Sequence, residues 1–539
     1  MARTLTERVL RRRSSRTWGD GVAAPSTGPT PPTRGPGESR GIWTATGLLL
    51  AVQLAGLIVY STYLYERFDV AEDFAHNAQA WYLIGQGHLN PLDTIRVPST
   101  PFLRDHFDLI LWPLSLLHFV ASSPLVLLIV QDVAVVVAEI ITMMWVVRLC
   151  EERLDRGRLV VELCALVLLV ANAWWYEAVS FDVHLPPLGL PFTVLTGYLL
   201  WSGRPRRALI PAVCCVLFGA VVVELVAVVG VGALLTRRVR ERGGALPAAA
   251  IAVGAFIWVF VVTGSGYNQA SNITAEYSYL IGSQASGGAL SLVRGALTHP
   301  GLTVRTLARR WHALARPVAM GGILGLLTPI GLVVTVGVLV PAGLASSAVY
   351  SSSAGAFQTL AVVPFVLVGT VSVLAGFAHR ARDGRYWRRD RFVVVALAVV
   401  VAVVALVQDG RLVSGIRTTW WRVTPAAATE LGKVLAETPR TTEVISSNGV
   451  VGRFSARRLV YSLAFAPQTF PIAARQVLFI ITPRQGNEAM PPVFSRNDLA
   501  VLRATLHTRT LVDRDGVVAL SWRPPPGTPT LTLTGAAPG

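Results

Sequence analysis

The residues able to do chemistry in this chain are few and sit at the edges of apolar runs: Glu72-Asp73, His106 with Asp108, Asp182 with His184, and Glu224. An ionisable side chain costs about 2.5–3.5 kcal/mol at the centre of a membrane helix, so acids kept at such boundaries need a reason beyond packing. A carboxylate at Glu72-Asp73 can serve as general base toward an acceptor hydroxyl. Asp182 and His184, if the backbone is extended there, share one face and can hold a sugar hydroxyl or a divalent cation. Each group also has a plain structural alternative: a solvated loop for Glu72-Asp73, helix entry for Asp108 and Asp182-His184, and a distant arginine partner for Glu224.

Arg294, Arg305, Arg309, Arg310 and Arg316 cluster in 264–316, on the side of the membrane where few positive charges are expected. Arg309 and Arg310 are the candidate ligands for the phosphate of a lipid-linked donor, with phospholipid contact as the alternative. Cys150, Cys164, Cys214 and Cys215 have no CxxC spacing, which predicts neither a disulfide nor a zinc site. There is no P-loop, no GxGxxG after a strand and no HExxH, so soluble nucleotide chemistry is not expected. No cofactor is required by these patterns; a divalent cation is the one candidate.

The elements that must position these residues are read from hydropathy. With 539 residues, 52% of them hydrophobic, mean hydropathy +0.52 and 15% charged, the chain reads as a polytopic membrane protein. Its net charge of +17 lies in arginine blocks between apolar runs, the positive-inside pattern, and nucleic acid is excluded as a partner. Residues 1–41 form a basic, disordered cytoplasmic tail, and helix 42–63 then leads out to a first extracytoplasmic loop, 64–123. Within that loop 107–120 is apolar but short, and crossing there would put Arg148 to Arg158 outside, so it is expected to lie along the membrane surface.

Helices are expected at 124–147, 159–176 and 184–201, followed by a hairpin over 208–235 turning near Glu224. A helix at 245–263, the extracytoplasmic loop 264–316, a short hairpin over 317–346 around Pro329, and helices at 354–377 and 392–408 follow. This gives about eleven crossings of the plasma membrane, N-terminus inside and C-terminus outside, with all the acid and histidine clusters on the outer face. Residues 425–522 alternate helical and strand-like stretches, with a hairpin around Asp513 to Gly516, and read as a small extracytoplasmic α/β domain; 523–539 is a Pro/Thr-rich disordered tail.

Five stretches carry a family resemblance: DFAHNAQAWY (73–82), DHFDLILWPL (105–114), FDVHLPPLGLPF (181–192), VVELVAVVGVGA (222–233) and YSSSAGAFQTLAVVPF (350–365). They resemble the DUF2079 family of bacterial membrane proteins, in particular its actinobacterial branch. That family is similar in turn to the GT-C glycosyltransferases, which take sugars from polyprenyl-phosphate donors at the outer face of the membrane. The resemblance implies an all-α polytopic, GT-C-like membrane domain at 42–410 with a small extracytoplasmic α/β C-terminal domain. It places Asp73 as the catalytic acid of the first outer loop, with Glu72, His106, Asp108, Asp182, His184 and Glu224 on the substrate. The implied partners are a polyprenyl-phosphate sugar and a glycan, lipid or protein acceptor. The chain departs from its relatives at Ala78, where many carry a second acid, and at Val223, where many carry a lysine. The alternatives are a non-catalytic scaffold or cell-envelope assembly factor of the same fold and a transporter, the latter opposed by the long outer loops.

Overall fold

The computed structural model describes residues 37–154, 158–180, 182–264, 270–282, 289–347, 350, 355–380, short pieces between 395 and 410, 422–463, 468–482 and 496–533. The tail before residue 37 and much of the run expected to cross at 392–408 lie outside the described residues. Among the described residues, six helical stretches are by length and composition apolar enough to cross a membrane: Gly41–Glu66, Leu125–Arg153, Arg158–Ser180, Pro205–Leu235, Ala245–Val262 and Ala356–Phe377, of which Pro205–Leu235 folds back on itself. Leu185–Trp201 and Pro329–Leu344 are shorter apolar helices. Helix is the form such runs must take, because hydrocarbon offers the backbone no hydrogen-bonding partner. The protein is thus a mostly helical membrane protein, though eleven crossings are not reached among the described residues.

Helix α1 (Gly37–Glu66) is followed after a tight turn by α2 (Glu72–Gly85). Most of α2 is buried, including Glu72, His76 and Gln79, so it is an internal element and not a surface loop. The apolar segment expected to lie along the membrane surface is a single helical turn, Leu111–Ser115, and a 3-10 turn, Leu116–Phe119. It is far too short to span ~30 Å of hydrocarbon, and it leaves Phe119 and Val120 fully open to the surroundings.

Helices α3 (Leu125–Arg153), α4 (Arg158–Val170), α5 (Ala173–Ser180) and α6 (Leu185–Trp201) follow. The apolar run after α6 divides into α7 (Pro205–Cys214), a 3-10 turn and α8 (Gly219–Leu235). Cys215 meets Thr193 of α6 at 3.7 Å, and Val222 packs on Gly189 near the start of α6. Beyond α8, Arg238 stacks 4.0 Å over Trp201 at the end of α6. The run is therefore a hairpin, but it turns at Gly219 (φ +79) and not at Glu224, because the positive φ is open to glycine and closed to the branched residues around it.

After α9 (Ala245–Gly264) the segment expected as a loop is largely helical: α10 (Ala270–Ile281), α11 (Ala289–Thr298) and α12 (Pro300–Met320). Its arginines alternate with apolar residues at helical spacing, and Leu307 and Leu314 pack on Gly343. The hairpin expected over 317–346 is accordingly replaced by the end of α12, a 3-10 turn over Ile323–Leu327 and α13 (Pro329–Leu344). Helix α14 (Val362–Arg380) is buried along much of its length against α3 and α13.

The C-terminal region begins at α15 (Pro425–Glu437), where the Thr424 hydroxyl accepts the Ala427 N–H and Pro425 occupies the first turn. Then come β1 (Glu443–Ser447), β2 (Val460–Leu463), β3 (Gln468–Pro471), β4 (Val477–Ile481), α16 (Arg496–Ala504), β5 (Arg509–Arg514), β6 (Val517–Trp522) and β7 (Thr530–Leu533). The main sheet runs β2-β1-β4-β6-β5, with β1 parallel to β2 and β4 and with β6 antiparallel to both of its neighbours. The β5–β6 hairpin turns at Asp515 (φ +55) and Gly516 (φ +76), the pair of positive values that a two-residue turn needs. Residues expected as a disordered tail include β7, which pairs antiparallel with β3 through Phe470 and Leu531, so part of the tail is structured by burial.

Alternate residues of the strands face opposite sides of this sheet. Val444, Leu478 and Ile480 pack with α15, Phe454 and, from the other end of the chain, Phe68, Ala75 and Ile95. The domain and α2 thus share one core. At the seam the Gly452 N–H donates to the Val70 carbonyl at 3.0 Å, and a Cβ on Gly452 would lie 2.6 Å from that oxygen. Gly452→Val should therefore part the two backbones and cost about 1–3 kcal/mol. Thermal unfolding of the purified protein measures this, and an unshifted melting temperature would contradict the close approach.

Candidate functional site

Both acids of the first cluster lie in the first turn of α2, where unpaired helix N–H groups favour negative charge. Adjacent helical positions point about 100° apart, and the two carboxylates meet different surroundings. Glu72 is buried and tied: Oε1 accepts from Arg96 Nε and lies 3.4 Å from His76 Nε2, and Oε2 accepts from Asn448 Nδ2 at 2.5 Å. Burial alone would raise its pKa, but the His76 hydrogen bond and the Arg96 charge outweigh it and hold the carboxyl below its ordinary value.

Asp73 keeps 40% of its side chain accessible although protein surrounds it, and its Oδ2 lies 3.3 Å from His184 Nε2. Burial pushes this carboxyl up; the hydrogen bond and charge of His184, then Arg96 and His76, pull it further down, well below the usual carboxylate range. Asp73 is an ionised, reachable group among cations.

The segment bearing Asp182 and His184 is held by Gln131 of α3, whose amide donates to the Asp182 carbonyl at 3.0 Å and accepts the His184 N–H at 2.7 Å. Both bonds go to backbone, so they fix the path of the chain. Asp182, at φ +53, then accepts the Ala71 N–H on Oδ1 at 2.9 Å, at the entry to α2. Burial first, and the charge of Asp73 second, push its pKa up to about 6. One acid of the pair is held ionised and the other is poised to hold a proton, the division of environments seen where two carboxyls take different roles.

His106 packs against His76, ring centroids 5.1 Å apart, and Asp108 Oδ2 stands 3.8 Å from His106 Nδ1. On the opposite side the His184 ring stacks on Phe357 at 3.5 Å and 17°. Phe357 belongs to the wall of a cavity of about 190 Å³ that also holds Glu224, Glu276, Tyr277 and Tyr350 among apolar side chains. Glu224 is therefore joined to Asp73 through this wall and not by direct contact.

The arginines assigned to phosphate are placed elsewhere. Arg310 donates to the carbonyls of Gly343, Ala345 and Ser346 at the end of α13, which spends its guanidinium on backbone, and Arg309 is exposed on α12. Hydropathy places both on a loop, free to reach a ligand; in helix α12 it is Arg310 that caps the end of α13. The arginine whose charge acts on Asp73 is Arg96, paired with Glu72 and with a side chain 42% exposed. Arg96, His76, Asp93 and Asn448 were not singled out from sequence. His76 had a signal, being one helical turn from Glu72 inside DFAHNAQAWY; Asn448, 376 positions away, had none.

The family model described as predicted membrane protein (DUF2079) matches residues 72–518. The chain belongs to the DUF2079 family. The match opens on Glu72 and ends in β6, so the DUF2079 unit includes both the acids of α2 and the domain that supplies Asn448. Among solved structures, ArnT from Cupriavidus metallidurans bound to undecaprenyl phosphate is similar to this DUF2079 chain at 14% identity and a TM-score of 0.46, covering 89% of this chain and 98% of that one. The same ArnT in the apo state is similar at 13% identity and 0.44, covering 90% and 98%. No curated protein matches the DUF2079 chain.

Asp182 makes a pH dependence with a defined sign. Its proton leaves near 3.8 in an unfolded chain and near 6 in the fold, so its contribution is whole below 3.8 and is lost as pH rises through about 6. Asp182→Asn should accordingly gain stability relative to the native chain as pH rises across that window. Thermal unfolding of both proteins between about pH 4 and 7 measures it, and parallel curves would refute the raised value.

Proposed function

We propose that this DUF2079 protein is a GT-C-type glycosyltransferase that moves a sugar from a polyprenyl-phosphate donor to an acceptor hydroxyl at the extracytoplasmic face of the membrane. The observation that carries the reading is Asp73: an ionised carboxylate, accessible within a protein-lined site, flanked by His184 and Arg96 and one ring away from a cavity. Asp73 accepts the proton of the acceptor hydroxyl as its oxygen attacks the anomeric carbon. The bond from that carbon to the phosphate oxygen breaks, and polyprenyl phosphate leaves with the electron pair. Arg96, whose fork suits phosphate, is the cation placed to receive it.

A carboxylate held so far down is a weak base in the free protein. Donor phosphate beside Arg96 would neutralise the charge that holds Asp73 down, so donor binding itself raises the basicity that the acceptor needs. The acceptor hydroxyl belongs to a glycan, lipid or protein. Glu72 and Asp182 hold α2 in place, His184 orients Asp73, and Glu224 faces substrate from the cavity.

Asp73→Asn preserves size and hydrogen bonding but removes the base, and should lower transfer by about 10²–10⁴-fold. Purified protein supplied with polyprenyl-phosphate sugar extracted from its host membrane is the assay, with product followed by mass spectrometry. Undiminished transfer by the variant would sink the assignment of Asp73, and absence of any transfer or bound lipid-linked sugar in the native protein would favour the scaffold.

A further inference from the structure

Between α2 and the turn that carries His106 lies a group of side chains that the proposed transfer does not use. His76, Asp93 and His106 each offer one ligand atom, and these atoms all lie within 4.8 Å of one another. His76 and Asp93 are fully buried and His106 largely so. We propose that these three residues form a divalent transition-metal site of zinc type.

The donor set argues for the class of ion. Two imidazoles and one carboxylate suit zinc and its first-row neighbours, whereas calcium and magnesium prefer an all-oxygen shell. Three protein ligands leave a fourth position of a tetrahedral ion open. Zinc at about 2.0–2.2 Å from each donor sets tetrahedral donors about 3.4 Å apart, so donors now within 4.8 Å of one another would draw in around the ion. His76 Nδ1 and Asp93 Oδ2, now 2.5 Å apart, would open by about 0.9 Å as the ion takes the place of the proton between them.

The surroundings argue for ligation over a bare ion pair. A ligating histidine commonly turns its other nitrogen to a carboxylate, which fixes the ring and strengthens it as a donor. Glu72 stands 3.4 Å from His76 Nε2, and Asp108 stands 3.8 Å from His106 Nδ1, so a carboxylate backs each ring. Asp93 is aimed in the same way, its Oδ1 accepting the Ile95 N–H at 2.9 Å and leaving Oδ2 toward His76. A His76–Asp93 salt bridge alone would need neither the second imidazole nor the acid behind it. The sequence pointed to no zinc site, because this one uses no cysteine: it is built from a turn of α2, the two-residue strand Leu92–Asp93 and a loop, with ligand spacings of 17 and 13 residues that match no short motif.

The site is tested by metal content, so its outcome does not depend on the transferase reading. Full-length protein is stripped with a chelator and titrated with zinc against a chromophoric competitor. One ion per chain is expected, with Asp93→Asn and His106→Gln each weakening binding by at least ~100-fold and Asp108→Asn by ~10-fold. Asp73→Asn should bind zinc like the native chain even where it abolishes transfer. X-ray absorption at the zinc edge of the loaded native protein should show two imidazole nitrogens and oxygen, and it needs no variant to fold. Fewer than about one ion per ten chains at ~10 μM free zinc, or a shell without imidazole, would overturn the site.

Discussion

The buried charge of Glu72 is the constraint on which the rest of the site depends. A carboxylate taken out of water carries a penalty of several kcal/mol unless charge and hydrogen bonds meet it, and here its partners come from three places: His76 from its own helix, Arg96 from the following loop and Asn448 from the C-terminal domain. None of these segments can satisfy Glu72 alone. The shared core around Phe68, Ala75 and Phe454 and the backbone contact at Gly452 bring them together, and the domain is therefore a wall of the site more than an appendage. With Glu72 turned inward and tied, its neighbour Asp73 is left facing open space.

The membrane part makes the complementary contribution. Gln131 lies on α3 with no exposure, and its amide sets the backbone of 182–184; that backbone presents Asp182 to the start of α2 and His184 to Asp73. One membrane-embedded amide thus governs the distance between two acids whose protonation states differ. The polar groups of the cavity beyond Phe357, Glu224, Glu276 and Tyr277 among them, sit among apolar side chains.

Hydropathy made most of the helices legible, since a run of about twenty apolar residues has one stable form in a bilayer. It was weakest where charge and apolar residues interleave: α12 reads as a basic loop by composition and as an amphipathic helix only by its 3.6-residue period. Gly219 is the turn signal in its run, whereas Glu224 is conspicuous there only by its charge. Within the site, Glu72, Asp73, Asp182 and His184 could be picked out because ionisable residues are conspicuous against an apolar background. Asn448 and Gln131 could not, because a polar residue in a soluble-looking domain or a lone amide in a helix carries no cost visible in sequence, and their partners are 376 and 51 residues away. Arg310 shows the converse: positive charge near a membrane reads as a ligand for anions, whereas helix-end carbonyls occupy this guanidinium.

The span from Glu72 to Asn448 also sets an order of events during synthesis. At about 5–20 residues per second, the ribosome needs roughly 20–75 s to reach Asn448 after Glu72 has been made. Throughout that interval Glu72 lacks the amide that completes its anchoring. A nascent or truncated chain can insert its helices and still hold an unfinished site, so the last fifth of the protein acts as a built-in delay between insertion and competence.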